Sequence, residues 1–490
     1  MKMNLYEHAI CCSKSYVNFN VYLVMTLEVE QAGELKRNAL SLSQLSVQGL
    51  AVIGPSITAA ILITGIAGVA LSATPLVFLV ATVAILINVN TAIQYSKKIA
   101  SSGGFFSYVS NGIGPRTGVM TGLYQLFYQI NNVAFLALWN GYFIGAAYSF
   151  FTGRPVSIYI MLLIGVITLI FAVSIQYVGI KKAVGFNFVT GLIESAFLVI
   201  VSLIIILLSP SANTGYVFTP GSAGLSGVGL GMILALLSFG GYTTIVSLGE
   251  EAKSPKKNTG KAIIFTVLMA GFVFVITSYA LTIGWGYSNM AAFAALPLPG
   301  FTVVNAKIGV IATVILSLIV LSANLNAING QMVNVSRLVY RMSRDQIFPQ
   351  YLGKSHKKFQ TPYISLIVIT GISAIVMIIA FLTVHPIIDA VFLLATMATV
   401  GTIMVHSITN ISLIHYHTKI KEFKLVFSAL LPIVGTALIL YALYASIYPF
   451  VYPYYLAPIA LAIWTSLCLI FIMLKIHNRD DVDTIGKFTL

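Results

Sequence analysis

Charged residues are scarce in this sequence. Lysine and arginine number 27 and aspartate and glutamate number 13 among 490 residues, so that charged residues make up 8% of the chain. A soluble domain of this length needs a larger charged fraction to cover its surface. The composition therefore excludes a soluble globular protein.

Several chemical motifs are also missing. Three cysteines do not indicate a disulfide framework. The sequence has no Gly-x-x-x-x-Gly-Lys-[Ser/Thr] phosphate loop, which argues against direct use of ATP, and no His-Glu-x-x-His or Gly-x-Ser-x-Gly motif, which argues against an enzyme. His415 and His417 are spaced like metal ligands, but nothing beside them supplies further ligands. We therefore expect no metal, no cofactor and no catalytic residues.

Hydrophobic residues, by contrast, make up 58% of the chain and form long runs from end to end. Each run is close to the ~20 residues that a helix needs to cross hydrocarbon. The pattern predicts an all-α polytopic membrane protein with twelve transmembrane helices, which we number as spans 1 to 12. They cover residues 44–70, 74–95, 116–149, 156–177, 184–208, 226–250, 261–286, 304–341, 362–383, 386–416, 425–447 and 452–475.

The basic residues give the orientation. If the spans alternate in direction and Lys36 and Arg37 are cytoplasmic, nearly all other basic residues of the spans and loops fall on the cytoplasmic side. Arg154 and Lys307 are the two that fall on the opposite side. This bias follows the positive-inside rule and places both termini in the cytoplasm of a plasma-membrane protein. It also explains the net charge of +14 without a nucleic-acid partner.

Two segments at the chain ends fit no span. Residues 1–40 include an apolar stretch that is too short to cross a membrane, and Met25 offers a second possible start of translation. We expect a disordered cytoplasmic tail over residues 1–40 and a second cytoplasmic tail over residues 476–490.

Spans 1 and 6 are interrupted near their middles. Gly54, Pro55 and Ser56 break span 1, and Gly240 and Gly241 break span 6. An unwound segment in lipid exposes backbone N–H and C=O groups at a cost of several kcal/mol each, unless protein, water or a ligand satisfies them. Span 6 comes five spans after span 1, an odd number, so the two spans run in opposite directions. Paired breaks of this kind indicate the binding site of an inverted-repeat transporter. A single break would more simply be a kink.

Three segments resemble the amino acid–polyamine–organocation permeases, whose fold is like that of the bacterial leucine transporter. They are SSGGFFSYVSNGIGPRTGVMTGL between spans 2 and 3, FGGYTTIVSLGEEAKSPKKNTGKAI in span 6 and after it, and VSRLVYRMSRDQIFPQYLGKSHKKFQTP after span 8. The resemblance covers roughly residues 38–475. It implies two inverted five-helix repeats, residues 41–208 and 226–417, followed by two further helices in residues 425–475. It also implies transport of amino acids or related amines, with the substrate carboxylate at the span 1 break and the amine at the span 6 break.

Two departures from the family pattern bear on the substrate. Pro55 stands where the family usually has a small residue, and it removes one N–H donor from the carboxylate site. Tyr242 and Thr243 stand where many members have an acidic residue. Without that acid a strongly cationic substrate is disfavoured, because a buried cation requires a paired charge.

Residues at both breaks and on two other spans are the predicted substrate site. Phe239 and Tyr242 flank the second break and could cover the substrate, although packing explains aromatic residues there equally well. Amides on spans 3 and 8 could line the path or hydrogen-bond between helices. The predicted site residues are Ile53, Gly54, Pro55, Ser56, Phe239, Gly240, Gly241, Tyr242, Gln129 and Asn324.

Glu194 is the one carboxylate well inside a predicted span. An intramembrane acid costs ~2.5 kcal/mol or more unless it is paired or protonated, and it marks a functional site by default. We interpret it as the group that carries a coupling proton. The alternative is a neutral Glu194 that hydrogen-bonds between helices for packing.

The resulting hypothesis is a secondary active transporter of amino acids that works by proton symport or exchange. Its partners are a small-molecule substrate, a coupling proton and the lipid bilayer. Transport of polyamines or another organic amine is the alternative within the same class. A sensor that binds an amino acid without transporting it is the alternative from another class, and it predicts binding without counterflow.

Overall fold

The computed structural model describes residues 38–177, 180–356, 358–447, 452–476, 479 and 481–487. The described residues form helices and no strand. Of the predicted tail over residues 1–40, residues 1–37 lie outside them. Span 1 consists of Leu42–Ile53, Pro55–Ile57, the π-helix Thr58–Leu62 and Ile63–Ala70, and span 6 consists of Gly224–Ser238, a 3-10 turn at Gly240–Tyr242 and Thr243–Ser247.

The other spans are longer and mostly continuous. Their helices are Thr74–Asn88 and Asn90–Ser96 in span 2, Pro115–Thr152 in span 3, Ile158–Tyr177 in span 4, Ile180–Leu207 in span 5, Pro255–Trp285 in span 7, Val310–Arg344 in span 8, Tyr363–Thr383 in span 9, Ile387–Lys419 in span 10, Leu425–Leu430 and Leu431–Ile447 in span 11, and Leu456–Lys475 in span 12. Shorter helices outside the spans are Phe105–Gly112, Met290–Ala294 and Pro299–Lys307.

The prediction of an all-α polytopic membrane protein is confirmed. In the described residues, nine helical runs are long and apolar enough to cross a membrane, and the bent pair Gly215–Met232 and Leu234–Ser247 adds a tenth. One run, Ile63–Ser96, contains the second half of span 1 and all of span 2, with an interruption at Leu71, whose φ is 49°. The count of twelve spans therefore stays a prediction.

Span 8 starts later than the sequence pattern predicts. Residues 304–307 belong to the separate helix Pro299–Lys307, and the long helix begins at Val310. Gly309 lies between them with a φ of 115°, a conformation that side chains other than hydrogen strongly disfavour.

Span 4 presents an apolar face to the outside of the bundle. Leu163, Ile167 and Ile170 are 57%, 54% and 63% exposed and recur at helical spacing. Such a face would be an unfavourable patch in water but is what a helix facing lipid requires. The exposure pattern thus agrees with a location in the bilayer.

Spans 1 and 6 cross in opposite directions. The helix Leu42–Ile53 packs on the helix Thr243–Ser247, and Ile63–Ala70 packs on Gly224–Ser238. The first half of each span therefore packs on the second half of the other, as the sequence predicts for two spans of opposite direction. The inverted relation of the whole repeats stays a prediction.

Both chain ends contribute ordered residues at one face of the bundle. Leu40 is 1% exposed, its N–H donates to the Glu251 carbonyl at 3.0 Å, and its carbonyl accepts from Lys253 N–H at 2.8 Å. Residue 40 of the predicted tail over residues 1–40 is thus ordered. In the predicted C-terminal tail, Ile485 is 1% exposed and Gly486 N–H donates to Asp345 Oδ2 at 2.8 Å.

Candidate functional site

The break in span 1 ends one helix and starts another. Gly54 has φ 60° and ψ 66°, and its N–H closes the first helix on the Leu50 carbonyl at 3.2 Å. The left-handed conformation is what glycine permits. Pro55 then occupies the first position of the next helix, where its missing N–H costs nothing. Ile57 N–H donates back to the Gly54 carbonyl at 2.9 Å.

Glu194 of span 5 binds the start of this second helix. Its Oε1 accepts a hydrogen bond from Ser56 N–H at 2.8 Å and another from Ser56 Oγ at 2.8 Å. Ser56 is 0% and Glu194 1% exposed. A carboxylate at a helix N-terminus is stabilised by the free N–H groups and by the helix dipole. Glu194 Oε2 has no hydrogen-bond partner among the described residues.

The break in span 6 is a tightened turn rather than a long unwound segment. The 3-10 turn Gly240–Tyr242 joins the helix Gly224–Ser238 to the helix Thr243–Ser247, and a separate bend of 41° lies one to two turns earlier, between Met232 and Leu234. The two glycines differ in their surroundings. A Cβ on Gly241 would lie 2.6 Å from the Val52 carbonyl carbon and closer still to the Ile53 nitrogen, whereas a Cβ on Gly240 would meet nothing within 4 Å. Gly241 is therefore the close contact between the spans, and Gly240 faces open space.

That open space is a cavity of about 130 Å³ beside the two breaks. Spans 1, 2, 3, 6, 8, 10 and 11 line it, mostly with apolar side chains. None of the described residues that line it is Asp, Glu, Lys or Arg. Its neutral polar side chains are Thr58, Asn88, Tyr128, Asn132, Ser238, Tyr242, Thr243, Gln331, Thr399, Thr402 and His406.

Four of the predicted site residues line this cavity: Ile53, Gly240, Gly241 and Tyr242. The other predicted residues of span 1, namely Gly54, Pro55 and Ser56, do not; Ser56 bonds to span 5, and a Cβ on Gly54 would lie 3.7 Å from the Ala323 carbonyl of span 8.

The remaining three predicted residues also lie outside the cavity lining and have partners of their own. Phe239 is 0% exposed and stacks edge-on against Phe274 with ring centroids 5.0 Å apart. Gln129 donates to Tyr128 Oη at 3.0 Å. Asn324 donates to the Leu136 carbonyl at 2.9 Å. Their part in substrate binding stays a prediction.

Comparison with known proteins agrees with this architecture. Residues 45–483 match the model of the family described as amino acid permease. The chain belongs to the amino acid permease family. All of the segments that form the two breaks and the cavity lie inside the matched range.

Relatives of this permease are transport proteins named for different substrates. It is 27% identical to the methylthioribose transporter of Bacillus subtilis (strain 168) over 456 residues, which cover 86% of this chain and 91% of the relative. It is 24% identical over 355 residues to the low-affinity putrescine importer PlaP of Escherichia coli (strain K12), covering 69% and 74%. It is 25% identical over 315 residues to the branched-chain amino acid permease BcaP of Bacillus subtilis (strain 168), covering 59% and 63%.

His406 of this permease is a cavity residue that sequence reasoning missed. It lies on span 10, its ring is 5.0 Å from that of Phe105, and its Nε2 is 3.4 Å from Tyr242 Oη. A histidine inside an apolar span is a functional candidate by default, and that signal was available in the sequence. The positions of Tyr128 and Gln331 depend instead on how spans 3 and 8 are rotated.

Proposed function

We propose that this permease carries amino acids across the plasma membrane by secondary active transport with alternating access. The observation that carries the proposal is the cavity where two antiparallel, interrupted helices cross. The family match and the names of the relatives support transport as the general activity. Both termini are proposed to be cytoplasmic, from the distribution of basic residues.

The lining of the cavity favours a small solute with no net charge. Apolar side chains such as Ile53, Leu136 and Ile403 suit an aliphatic substrate group, and Thr, Asn and Gln side chains can hydrogen-bond its polar groups. A dication such as putrescine would bring charges that no described lining residue neutralises. A neutral amino acid with an aliphatic side chain is therefore the substrate class that we propose.

Uptake into proteoliposomes tests this assignment. Labelled leucine, isoleucine and valine are expected to enter and to exchange by counterflow, and unlabelled putrescine is expected to compete weakly. Methylthioribose belongs in the same panel, because a relative that covers most of the chain is a methylthioribose transporter. Binding of an amino acid without counterflow would favour the sensor, and stronger competition by putrescine would favour the amine transporter.

We further propose that Glu194 couples transport to a proton. As a carboxylate it holds Ser56 through two hydrogen bonds at the start of the second half of span 1. Protonation would remove its negative charge and weaken this charge-assisted contact. The proton on Glu194 and the position of the span 1 half-helix would then be linked, and the linkage acts in both directions.

Replacing Glu194 by Gln is expected to abolish accumulation driven by a pH gradient, acidic outside, while counterflow exchange remains. Glutamine keeps an oxygen acceptor for Ser56 but cannot release a proton. The measurement is uptake of labelled leucine into proteoliposomes with and without the gradient. Ser56→Ala is the matched control, because it removes the hydroxyl bond and leaves the titratable group, so it should still accumulate substrate. Accumulation by Glu194→Gln, or wild-type uptake that follows a sodium gradient at symmetric pH, would refute proton coupling through Glu194.

A further inference from the structure

A row of polar side chains follows one face of span 5. Asn187, Thr190 and Glu194 are spaced three and four residues apart and so lie on the same side of the helix. Asn187 is 0% and Glu194 1% exposed. The row extends about 10 Å from Glu194 toward the end of the helix at Ile180, at 1.5 Å per residue.

Spans 1 and 8 present further polar side chains to the same region. Thr190 Oγ1 donates to Asn326 Oδ1 of span 8 at 3.0 Å. Asn329 follows one turn later on span 8 and is 0% exposed, and Gln48 of span 1 is 1% exposed. We call Gln48, Asn187, Thr190, Glu194, Asn326 and Asn329 the polar track.

The three helices are in close contact along the polar track. A Cβ on Gly191 of span 5 would lie 2.7 Å from the Cβ of Ala51 on span 1. A Cβ on Gly330 of span 8 would lie 2.6 Å from Val52 Cγ1 on span 1. Glycines at these positions let the three helices approach each other closely beside the polar side chains.

Most polar atoms of the track have no hydrogen-bond partner within the part of the chain that the structure describes. They are Gln48 Oε1, both side-chain polar atoms of Asn187, Glu194 Oε2, Asn326 Nδ2, and both side-chain polar atoms of Asn329. Each buried polar atom left unpaired would cost about 1–3 kcal/mol. Buried water typically satisfies such groups, making about three hydrogen bonds per molecule.

The polar track is separate from the cavity beside the two breaks. None of its six residues lines that cavity, and the first half of span 1 contributes to both, with Val52 and Ile53 on the cavity side. Ser56 supplies the hydrogen bonds of Glu194, and no described Lys or Arg forms an ion pair with it.

We propose that the polar track holds a file of water that carries protons between Glu194 and the face of the membrane at the start of span 5. This rests on the proton coupling proposed above. The protonated Glu194 transfers its proton from Oε2 to the adjacent water, which passes a proton to the next water and so to bulk solvent. Glu194 is left as a carboxylate bonded to Ser56. The proton and the amino acid thus leave by different routes.

Asn187→Val and Asn187→Thr form a matched pair, because the two side chains have nearly the same shape and differ by a hydroxyl group. The infrared band of the Glu194 carboxyl group, identified by its loss in Glu194→Gln, reports exchange with D₂O at acidic pH. We expect exchange to slow about tenfold in Asn187→Val and to stay near the wild-type rate in Asn187→Thr, because a hydroxyl group can relay a proton and a methyl group cannot. Asn329→Val should behave like Asn187→Val.

Asn140→Val is the control for loss of a buried amide elsewhere. Asn140 donates to Thr168 between spans 3 and 4, outside the polar track. In proteoliposomes, Asn187→Val should lose pH-driven accumulation of leucine and keep counterflow. Asn140→Val should keep the wild-type ratio of accumulation to counterflow. Wild-type exchange rates in both Asn187→Val and Asn329→Val would overturn the proposal, as would an equal loss of accumulation and counterflow. The exchange rate needs no substrate, so it tests the polar track even if Glu194→Gln shows that transport is not proton-coupled.

Discussion

The substitution Gly240→Leu is expected to weaken substrate binding strongly and to stop transport in a protein that is still folded. Gly240 lines the cavity, and a Cβ there would meet nothing within 4 Å, so the new side chain extends into the space that the substrate needs. The backbone of Gly240 is not in the left-handed region, so this position tolerates a leucine side chain. We expect affinity to fall by ~100-fold or more, which corresponds to about 2.7 kcal/mol. Equilibrium binding of labelled leucine and thermal unfolding in detergent are the two measurements.

Gly241→Ala is the matched variant and is expected to fail differently. Even a methyl group there would overlap the backbone of span 1 at Val52 and Ile53, which cannot move aside as a side chain can. The crossing of spans 1 and 6 must open, so unfolding temperature and yield should fall together with transport. Wild-type affinity in Gly240→Leu would mean that substrate binds elsewhere. A stable Gly241→Ala protein would contradict the close contact between the spans.

Removing Arg337 alone is expected to destabilise the protein by about 3–5 kcal/mol, because it leaves a buried carboxylate without its counter-charge. Arg337 Nε lies 2.6 Å from Glu251 Oε2, and Nη2 lies 3.0 Å from Oε1. The two side chains are 3% and 1% exposed. The measurement is the free energy of unfolding of Arg337→Leu in mixed micelles.

The double variant Arg337→Leu/Glu251→Leu separates the charge effect from lost packing. Replacing both partners of a buried pair by apolar residues is often close to neutral, so most of the lost stability should return. A single variant within 1 kcal/mol of wild type, measured the same way, would show that solvent or another residue compensates Glu251. A double variant as unstable as Arg337→Leu would show that the loss came from packing.

Hydropathy predicts the spans well because a chain in lipid must satisfy its backbone hydrogen bonds internally, and a helix of about 20 residues does so. The breaks in spans 1 and 6 were also predictable, since Gly54, Pro55 and the glycine pair carry a backbone signal of their own. The start of span 8 was placed too early, because residues 304–307 form the end of a separate short helix and Gly309 interrupts the chain before the long one begins.

The contents of the cavity were harder to predict than its location. Ile53 and Tyr242 flank the breaks and could be named from their position in the chain, whereas His406 and Gln331 depend on the rotation of spans 10 and 8. Gly240 and Gly241 look alike in the sequence, yet one faces open space and the other faces backbone. Glu194 was identifiable as unusual, but its partner Ser56 is 138 residues away, and only the packing of span 5 against span 1 brings them together.

The hydrogen bonds of Leu40 with Glu251 and Lys253 have a mechanical consequence. They tie the start of span 1 to the end of span 6, and the contact at Gly241 ties the same two half-helices again near the middle of the bundle. Two attachments at different depths prevent either half-helix from pivoting on its own. We therefore expect a motion that exposes the cavity on this side to move both half-helices together, and the buried ion pair of Glu251 with Arg337 also couples them to span 8.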